Sequence, residues 1–241
     1  MIPRKIHQTH KSLDFILSHS KLNDYYKSWD VENYDHIFYD DIQADDFMKD
    51  NFNEIYDLYH NLPLPIMKAD LWRYCVIYHC GGIYADMDTE FKGNDLDSLF
   101  QMDKELILAK EFPHNNNYCQ WFFAAPAKSP ILKYVIEAVV DKIKNTNDFK
   151  YEHVVHQTTG PHIFDSSIKS YLDKVNDKSI IHLHNSTQMM NHHIYHDYSG
   201  QWQGGWIEEI NEFTGITHIR ITKDKEGNYS KELDDASQSN T

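Results

Sequence analysis

The chain has 241 residues and a mass of 28.5 kDa, enough for one large domain with a sizeable core. Basic side chains number 23 against 37 acidic ones, leaving a formal charge of −14, and a field of that sign repels phosphate backbones and argues against nucleic-acid binding. Hydrophobic residues are 41% and charged residues 25%, a soluble globular balance, and no apolar run approaches the roughly 20 residues that span a bilayer.

Taken in chain order, the opening Met1-Ile2-Pro3-Arg4-Lys5 lacks the apolar segment of a signal peptide, and Ile2–Gln8 predicts a short strand. Lys21–Asn33 reads as polar and irregular apart from Trp29, and His36–Tyr39 as a second strand ending in Asp40-Asp41. Apolar residues at Phe47, Met48, Phe52, Ile55, Tyr56 and Tyr59 have helical spacing. After Pro63 and Pro65 a helix is predicted from about Ile66 to Cys80, with Met67, Leu71, Tyr74, Cys75 and Tyr78 on one apolar face and Gly81-Gly82 as its stop. Ile83–Thr89 alternates with period two and predicts a strand or a strand end.

Leu106–Ala109 and Trp121–Ala125 predict further strands. Ser129-Pro130 is placed to cap an amphipathic helix from Ile131 to about Ile143, with Leu132, Val135, Ile136, Val139 and Ile143 toward the core. Another helix is expected over Ile163–Val175, then strands over Ser179–Leu183 and Ile216–Thr222. Strands alternate with helices, so the class is α/β around a largely parallel sheet. Residues 1–223 are taken as one domain, and the polar stretch 224–241 as a flexible tail. Cys75, Cys80 and Cys119 form neither a zinc spacing nor a CxxC pair, which fits buried thiols in a reducing compartment. Sixteen histidines are scattered, densest at His192, His193 and His196.

The chemistry concentrates where the long helix meets the next strand. In an extended segment, side chains two apart point to one side, about 6.6 Å apart along the chain, so Asp86 and Asp88 project together while Ile83, Ala85 and Met87 face the core. Two adjacent carboxylates repel unless a cation lies beside them, and magnesium or manganese suits such oxygen ligands and bridges a diphosphate. Asp70 and Arg73 share a face of the preceding helix, and the Gly-Gly break leads directly from them into the carboxylate pair. They form either a surface ion pair or one wall of a crevice at the strand ends, where open α/β sheets bind ligands.

Three segments carry a resemblance: Ile2-Pro3-Arg4-Lys5-Ile6-His7-Gln8-Thr9, then Lys68-Ala69-Asp70-Leu71-Trp72-Arg73-Tyr74, then Tyr78-His79-Cys80-Gly81-Gly82-Ile83-Tyr84-Ala85-Asp86-Met87-Asp88. Together they resemble the family 32 glycosyltransferases, the DxD sugar transferases related to initiating mannosyltransferases and capsular polysaccharide enzymes. A weaker likeness runs through Thr159-Gly160-Pro161 to His196-Asp197-Tyr198-Ser199-Gly200-Gln201-Trp202. The resemblance implies a GT-A fold, with a Rossmann-like nucleotide-binding half and a mostly parallel central sheet. It implies a metal-dependent, retaining hexosyl transfer from a UDP- or GDP-linked sugar to a hydroxyl of a glycan, lipid-linked or protein acceptor, with manganese favoured over magnesium.

Carried over residue by residue, the resemblance makes Asp70, Arg73, Asp86 and Asp88 the catalytic set, with metal ligands Asp86, Asp88 and His196. Ile6, His7, Gln8, Asp70, Arg73, Tyr84, Asp86 and Trp202 would meet the donor, and Thr159, Gly160 and Pro161 would form the acceptor-side loop. That loop also reads as a helix-start turn with Pro161 near the first helical position. Gln120 and Asn117 both remain open as substitutes for an asparagine usual in the family. Tyr84 and Trp72 could stack on a sugar, although aromatics at such positions ordinarily pack a core. With no membrane-spanning segment, a soluble, cytoplasmic enzyme, or one peripheral to a membrane, is expected. Two other readings use the same residues. One is an inactive nucleotide-sugar or carbohydrate-binding module. The other is an aspartate-nucleophile phosphatase, which Glu90 disfavours because it stands where that chemistry uses threonine or valine.

Overall fold

A computed structural model of the chain describes residues 1–100, 104–110, 117–149, 153–184, 193–197, 216–224 and 229–235. Its elements run β1 (Lys5–Thr9), α1 (Leu13–Ser18), α2 (Ser20–Ser28), β2 (Asp35–Tyr39), α3 (Asp41–Asn51), α4 (Asn53–His60), α5 (Pro65–Cys80), β3 (Gly82–Ala85) and β4 (Thr89–Phe91). Then come β5 (Leu106–Lys110), β6 (Tyr118–Ala125), α6 (Pro130–Lys144), α7 (Val154–Thr158), α8 (Pro161–Val175), β7 (Ile181–His184), β8 (Ile194–His196), β9 (Ile216–Lys223) and β10 (Tyr229–Asp235).

Six strands form one sheet in the order β2-β1-β3-β6-β5-β7. β1 pairs in parallel with β2 and β3, and β5 with β7, while β6 runs against both of its neighbours, so a single reversed strand interrupts a parallel sheet. Both faces are covered. On one, Tyr84, Leu108 and Phe123 meet α5, α6 and α8 through Leu71, Tyr74, Val135 and Phe164. On the other, Ile83, Ala85, Ile107 and Phe122 meet Trp29, Leu96 and Leu99. The expected α/β class with a mostly parallel central sheet is the architecture found.

Local chemistry explains the boundaries. Asp40 caps α3 in a reciprocal box: its carboxylate accepts from Gln43 N at 2.8 Å, and Gln43 Oε1 accepts from Asp40 N at 3.0 Å. The apolar spacing expected to give one helix over Phe47–Tyr59 is broken at Phe52 (φ −137°, ψ 43°) into α3 and α4. Pro65 opens α5 in its first turn, where a missing N–H costs nothing. α5 is buried all round, because Trp72, Val76 and Ile77 are inside as well as the expected face. Ser129 sits at the N-cap of α6, but its hydroxyl donates to Glu105 O at 3.1 Å and makes no cap bond.

α2 falls within the segment read as irregular. Its signal was present, since Leu22, Tyr25, Tyr26 and Trp29 recur at helical spacing and Tyr25 and Trp29 are buried. The short α1, α7 and β8 were not anticipated either, and β10, within the segment read as a polar tail, pairs antiparallel with β9. Among the described residues no helix is long and apolar enough to cross a membrane.

The α5–β3 junction depends on two glycines. Gly81 ends the helix at φ +66°, its N–H donating to Ile77 O at 2.8 Å. Gly82 follows at φ +108°, and a Cβ there would lie 2.5 Å from Lys5 O on β1. Gly82→Ala is expected to lower the unfolding free energy by about 3 kcal/mol, from backbone strain plus a clash with an immovable carbonyl. Urea titration of both proteins reads this, and a loss below about 0.5 kcal/mol would mean that β1 yields to the methyl group.

Candidate active site

α5 and β3 are separated by Gly81 alone, and Asp70 and Arg73 stand against Asp86 just past β3. Arg73 is the centre. Its Nη2 lies 3.1 Å from Asp70 Oδ1, and its Nη1 donates to Asp86 Oδ1 at 2.9 Å and to Gln120 O at 3.3 Å. Nε donates to Ala69 O at 3.4 Å, and the guanidinium carbon stands 4.6 Å from the Tyr84 ring centre. The Asp70 and Arg73 side chains are 0% and 4% exposed, so the surface ion-pair reading is excluded. Although burial works against the charge of Arg73, Asp86, Tyr84 and Asp70 hold it firmly protonated.

Asp70 is closed in from every side. Gln120 Nε2 donates to its Oδ1 at 3.1 Å and Thr159 Oγ1 to its Oδ2 at 2.9 Å. Burial pushes its carboxyl up to about 6, against the opposing pull of Arg73. Of the two substitutes left open, Gln120 is the one at the site: its side chain bridges Asp70 and the Tyr74 hydroxyl, which also lies 2.9 Å from Thr159 O. Thr159 and Gly160, expected on the acceptor side, lie at the α7–α8 junction, with Thr159 directly beneath Asp70 and Pro161 in the first turn of α8.

β3 ends at Ala85. Asp86, Met87 and Asp88 therefore do not lie in the extended strand that alternation predicted. They form a turn closed by Thr89 N donating to Asp86 O at 3.1 Å, while Asp86 N donates to Trp121 O at 2.8 Å. The turn still brings the two carboxylates together. Tyr84 Oη donates to Asp86 Oδ1 at 2.5 Å. Burial pushes the Asp86 carboxyl above its ordinary range; Arg73 pulls it back, Asp88 pushes it up again and His196 pulls it down.

The turn then feeds β4, which pairs antiparallel with β8, setting Thr89 opposite His196. His196 Nε2 comes to 3.1 Å from Asp88 Oδ1 and 4.0 Å from Asp86 Oδ2, and its ring stacks on Trp121 with centres 4.9 Å apart and planes at 8°. One ligand atom each from Asp86, Asp88 and His196 lie within 4.8 Å of one another. Two like-charged oxygen donors and one imidazole at this separation fit a hard or borderline divalent cation, since the cation removes the repulsion that the geometry otherwise enforces.

The remaining expected donor contacts lie on β1 or outside the described residues. Ile6 is core, His7 is buried with Nε2 donating to Gly81 O at 3.2 Å, and Gln8 Nε2 donates to Asp86 O at 3.3 Å. Tyr84 is 2% exposed and Trp72 fully buried, so both pack the interior. Trp202 lies outside the described residues. A cavity of about 260 Å³ opens beyond the end of β1, lined among others by Thr9, Asp41, Tyr59, Lys68, Ala69 and Trp72.

Residues 7–104 match the family described as "Glycosyltransferase sugar-binding region containing DXD motif". The initiation-specific alpha-1,6-mannosyltransferase of Schizosaccharomyces pombe is 28% identical over 144 residues, 50% of this chain and 35% of that protein. The Candida albicans protein of the same name is 23% identical over 209 residues, 72% of this chain and 54% of that one. The chain therefore spans between about a third and about half the length of these curated relatives. Among solved structures, the PaToxG glycosyltransferase is 16% identical with a TM-score of 0.46, over 74% of this chain and 72% of that one. Over residues 7–104 the chain is thus similar to the DXD region of that glycosyltransferase family, the likeness its motifs implied.

His7 supplies a pH test of this packing. Burial drives its imidazole from 6.5 down to about 4. The unfolded chain therefore takes up the proton first as pH falls, and the stability that His7 contributes is lost from about pH 6.5 toward pH 4. Asp70, raised to about 6, acts with the opposite sign: its contribution falls as pH rises from about 4 to about 6. His7→Gln is expected to remove about 2 kcal/mol of the stability loss between about pH 7 and about pH 4.5. Urea midpoints of both proteins at each pH check it, and parallel pH profiles would refute a neutral buried His7.

Proposed function

We propose that the chain transfers a hexose from a nucleoside-diphosphate sugar to a hydroxyl of a glycan, lipid-linked or protein acceptor, with a divalent cation, manganese before magnesium, held by Asp86, Asp88 and His196. The observation that carries this reading is the convergence of Arg73, Asp86, Asp88 and His196 at the end of the inner strand β3, from a helix, a turn and a short strand. The relatives' names make mannose the first hexose to test, carried on either GDP or UDP.

When bound, the cation would supply Lewis-acid stabilisation of the diphosphate's leaving charge. The rest falls to the chain's own residues. Asp86 and Asp88 present oxygens to the cation, and His196 presents Nε2. Arg73, anchored by Asp70 and Asp86, holds a fixed positive charge beside the breaking bond. Asp70 acts by orienting Arg73, since both of its oxygens are occupied by Arg73, Gln120 and Thr159. The cavity past Thr9, at the end of β1, is where we place the donor's nucleoside.

Retention comes from the family likeness alone. Asp70, Asp86 and Asp88 are each engaged by a cation, a hydroxyl or an imidazole, so none is offered as a covalent nucleophile. Attack by the acceptor on the face the diphosphate leaves, with the leaving phosphate taking the acceptor proton, is the mechanism we favour.

Two measurements test this. In a thermal-shift screen, one GDP- or UDP-sugar is expected to raise the melting temperature with manganese and much less without it. Metal-dependent hydrolysis of that sugar should fall at least about 100-fold in Asp88→Asn and by a similar factor in Arg73→Lys, whose single ammonium cannot hold Asp70 and Asp86 together. Equal turnover in wild type and Asp88→Asn removes Asp88 from the mechanism, while donor binding without turnover on any acceptor favours a binding module.

A further inference from the structure

β8 is three residues long, and it carries His196 to the carboxylate turn by pairing with the equally short β4. So small a ribbon has little sheet to register it, yet the position of the imidazole depends on it. The outside of the ribbon is gripped by α2. Ser28 Oγ accepts from Phe91 N at 2.9 Å and Trp29 Nε1 donates to Thr89 O at 3.0 Å, both on β4. The grip on the β8 side is charged. Lys21 Nζ donates to Asp197 Oδ1 at 2.9 Å and to Oδ2 at 2.7 Å, and Tyr195 Oη donates to Oδ1 at 3.2 Å. Asp197 is the residue after His196, and its own N–H donates to Asp88 O at 3.0 Å.

We propose that the Lys21–Asp197 pair is a latch that positions His196 for cation binding, so that α2 supports the site without supplying a ligand to it. The proposal rests on reading Asp86, Asp88 and His196 as the cation site. The chain around the imidazole is held at two points. Asp197 N binds the Asp88 carbonyl, and the Asp197 carboxylate binds an ammonium anchored on a helix that is itself fixed to β4. The whole set (carboxylate turn, β4, β8 and α2) closes as a ring. Removing Lys21 opens that ring at its most solvent-exposed joint, since the Lys21 side chain is 64% exposed and that of Asp197 10%. An exposed lysine contributes little to global stability, so its effect on the cation can be separated from unfolding. Partners one step behind a ligand commonly change metal affinity by about 10-fold or more.

The test is manganese affinity of the intact chain, measured from the spin-resonance signal of free ion during titration, with Asp88→Asn as the control for the site. Lys21→Met and Asp197→Asn are each expected to weaken binding about 10-fold. The double variant should be no worse than either single one, because both remove the same joint. Lys21→Arg, which can still fork onto the carboxylate, should stay within about twofold of wild type. Melting temperatures should change little across the lysine variants. Wild-type affinity in Lys21→Met overturns the latch, as does additive loss in the double variant or failure of arginine to restore binding. Wild-type protein that binds manganese no better than Asp88→Asn overturns instead the reading of the cation site itself.

Discussion

A buried guanidinium organises this molecule. Arg73 sits on a helix wrapped on every side, and a charge in such a place is tolerated only if its N–H groups are met and its sign is balanced. The chain meets both demands with groups drawn from three places. Asp70 and the Ala69 carbonyl come from the same helix, Asp86 from the turn after β3, and the Gln120 carbonyl from β6. The face of Tyr84 closes the remaining side. Because a cation left unpaired in the interior would be far more costly than the pair is favourable, α5, β3 and β6 are bound to one mutual arrangement. The carboxylate turn inherits that rigidity: Asp86 is fixed by Arg73 on one oxygen, which leaves the other side of the turn to face Asp88 and His196.

Part of this could be read from the amino acids alone, and the division has a physical cause. Asp70, Arg73, the Gly-Gly break and Asp86-Met87-Asp88 lie within one stretch of chain, where helix period, glycine conformation and local spacing dictate neighbours. The helix α5 and its stop were therefore legible, as were the sheet strands, whose apolar runs are bounded by turns. Gln120 and Thr159 came into view only through the family likeness, and their contacts with Asp70 did not, because Asp70 is 50 and 89 residues away and nothing local in either residue records it. Strand alternation also misplaced the carboxylates. It predicted an extended segment through Thr89, whereas the hydrogen bond from Thr89 N–H to the Asp86 carbonyl bends the chain after Ala85. α2 is a different kind of omission. Its apolar stripe is regular, but its polar residues outnumber the apolar ones, so its composition resembles that of a loop.

Charge explains why the site would need its cation before its donor. The chain as a whole is strongly acidic. Within the cluster, Asp70, Asp86 and Asp88 face the single guanidinium of Arg73, so with its carboxyls ionised the cluster is two negative charges in excess. Arg73 cannot be redirected wholly toward an incoming anion without stranding Asp70 in the interior, where Thr159 and Gln120 alone would hold it. A diphosphate approaching the bare site would meet net repulsion at short range, in a partly buried environment where salt screens weakly. Occupation of Asp86, Asp88 and His196 by a divalent ion cancels that excess and gives the phosphate oxygens a positive partner. The residue set proposed for transfer therefore implies an order of binding, cation first and nucleotide sugar second, that follows from the fixed commitments of Arg73.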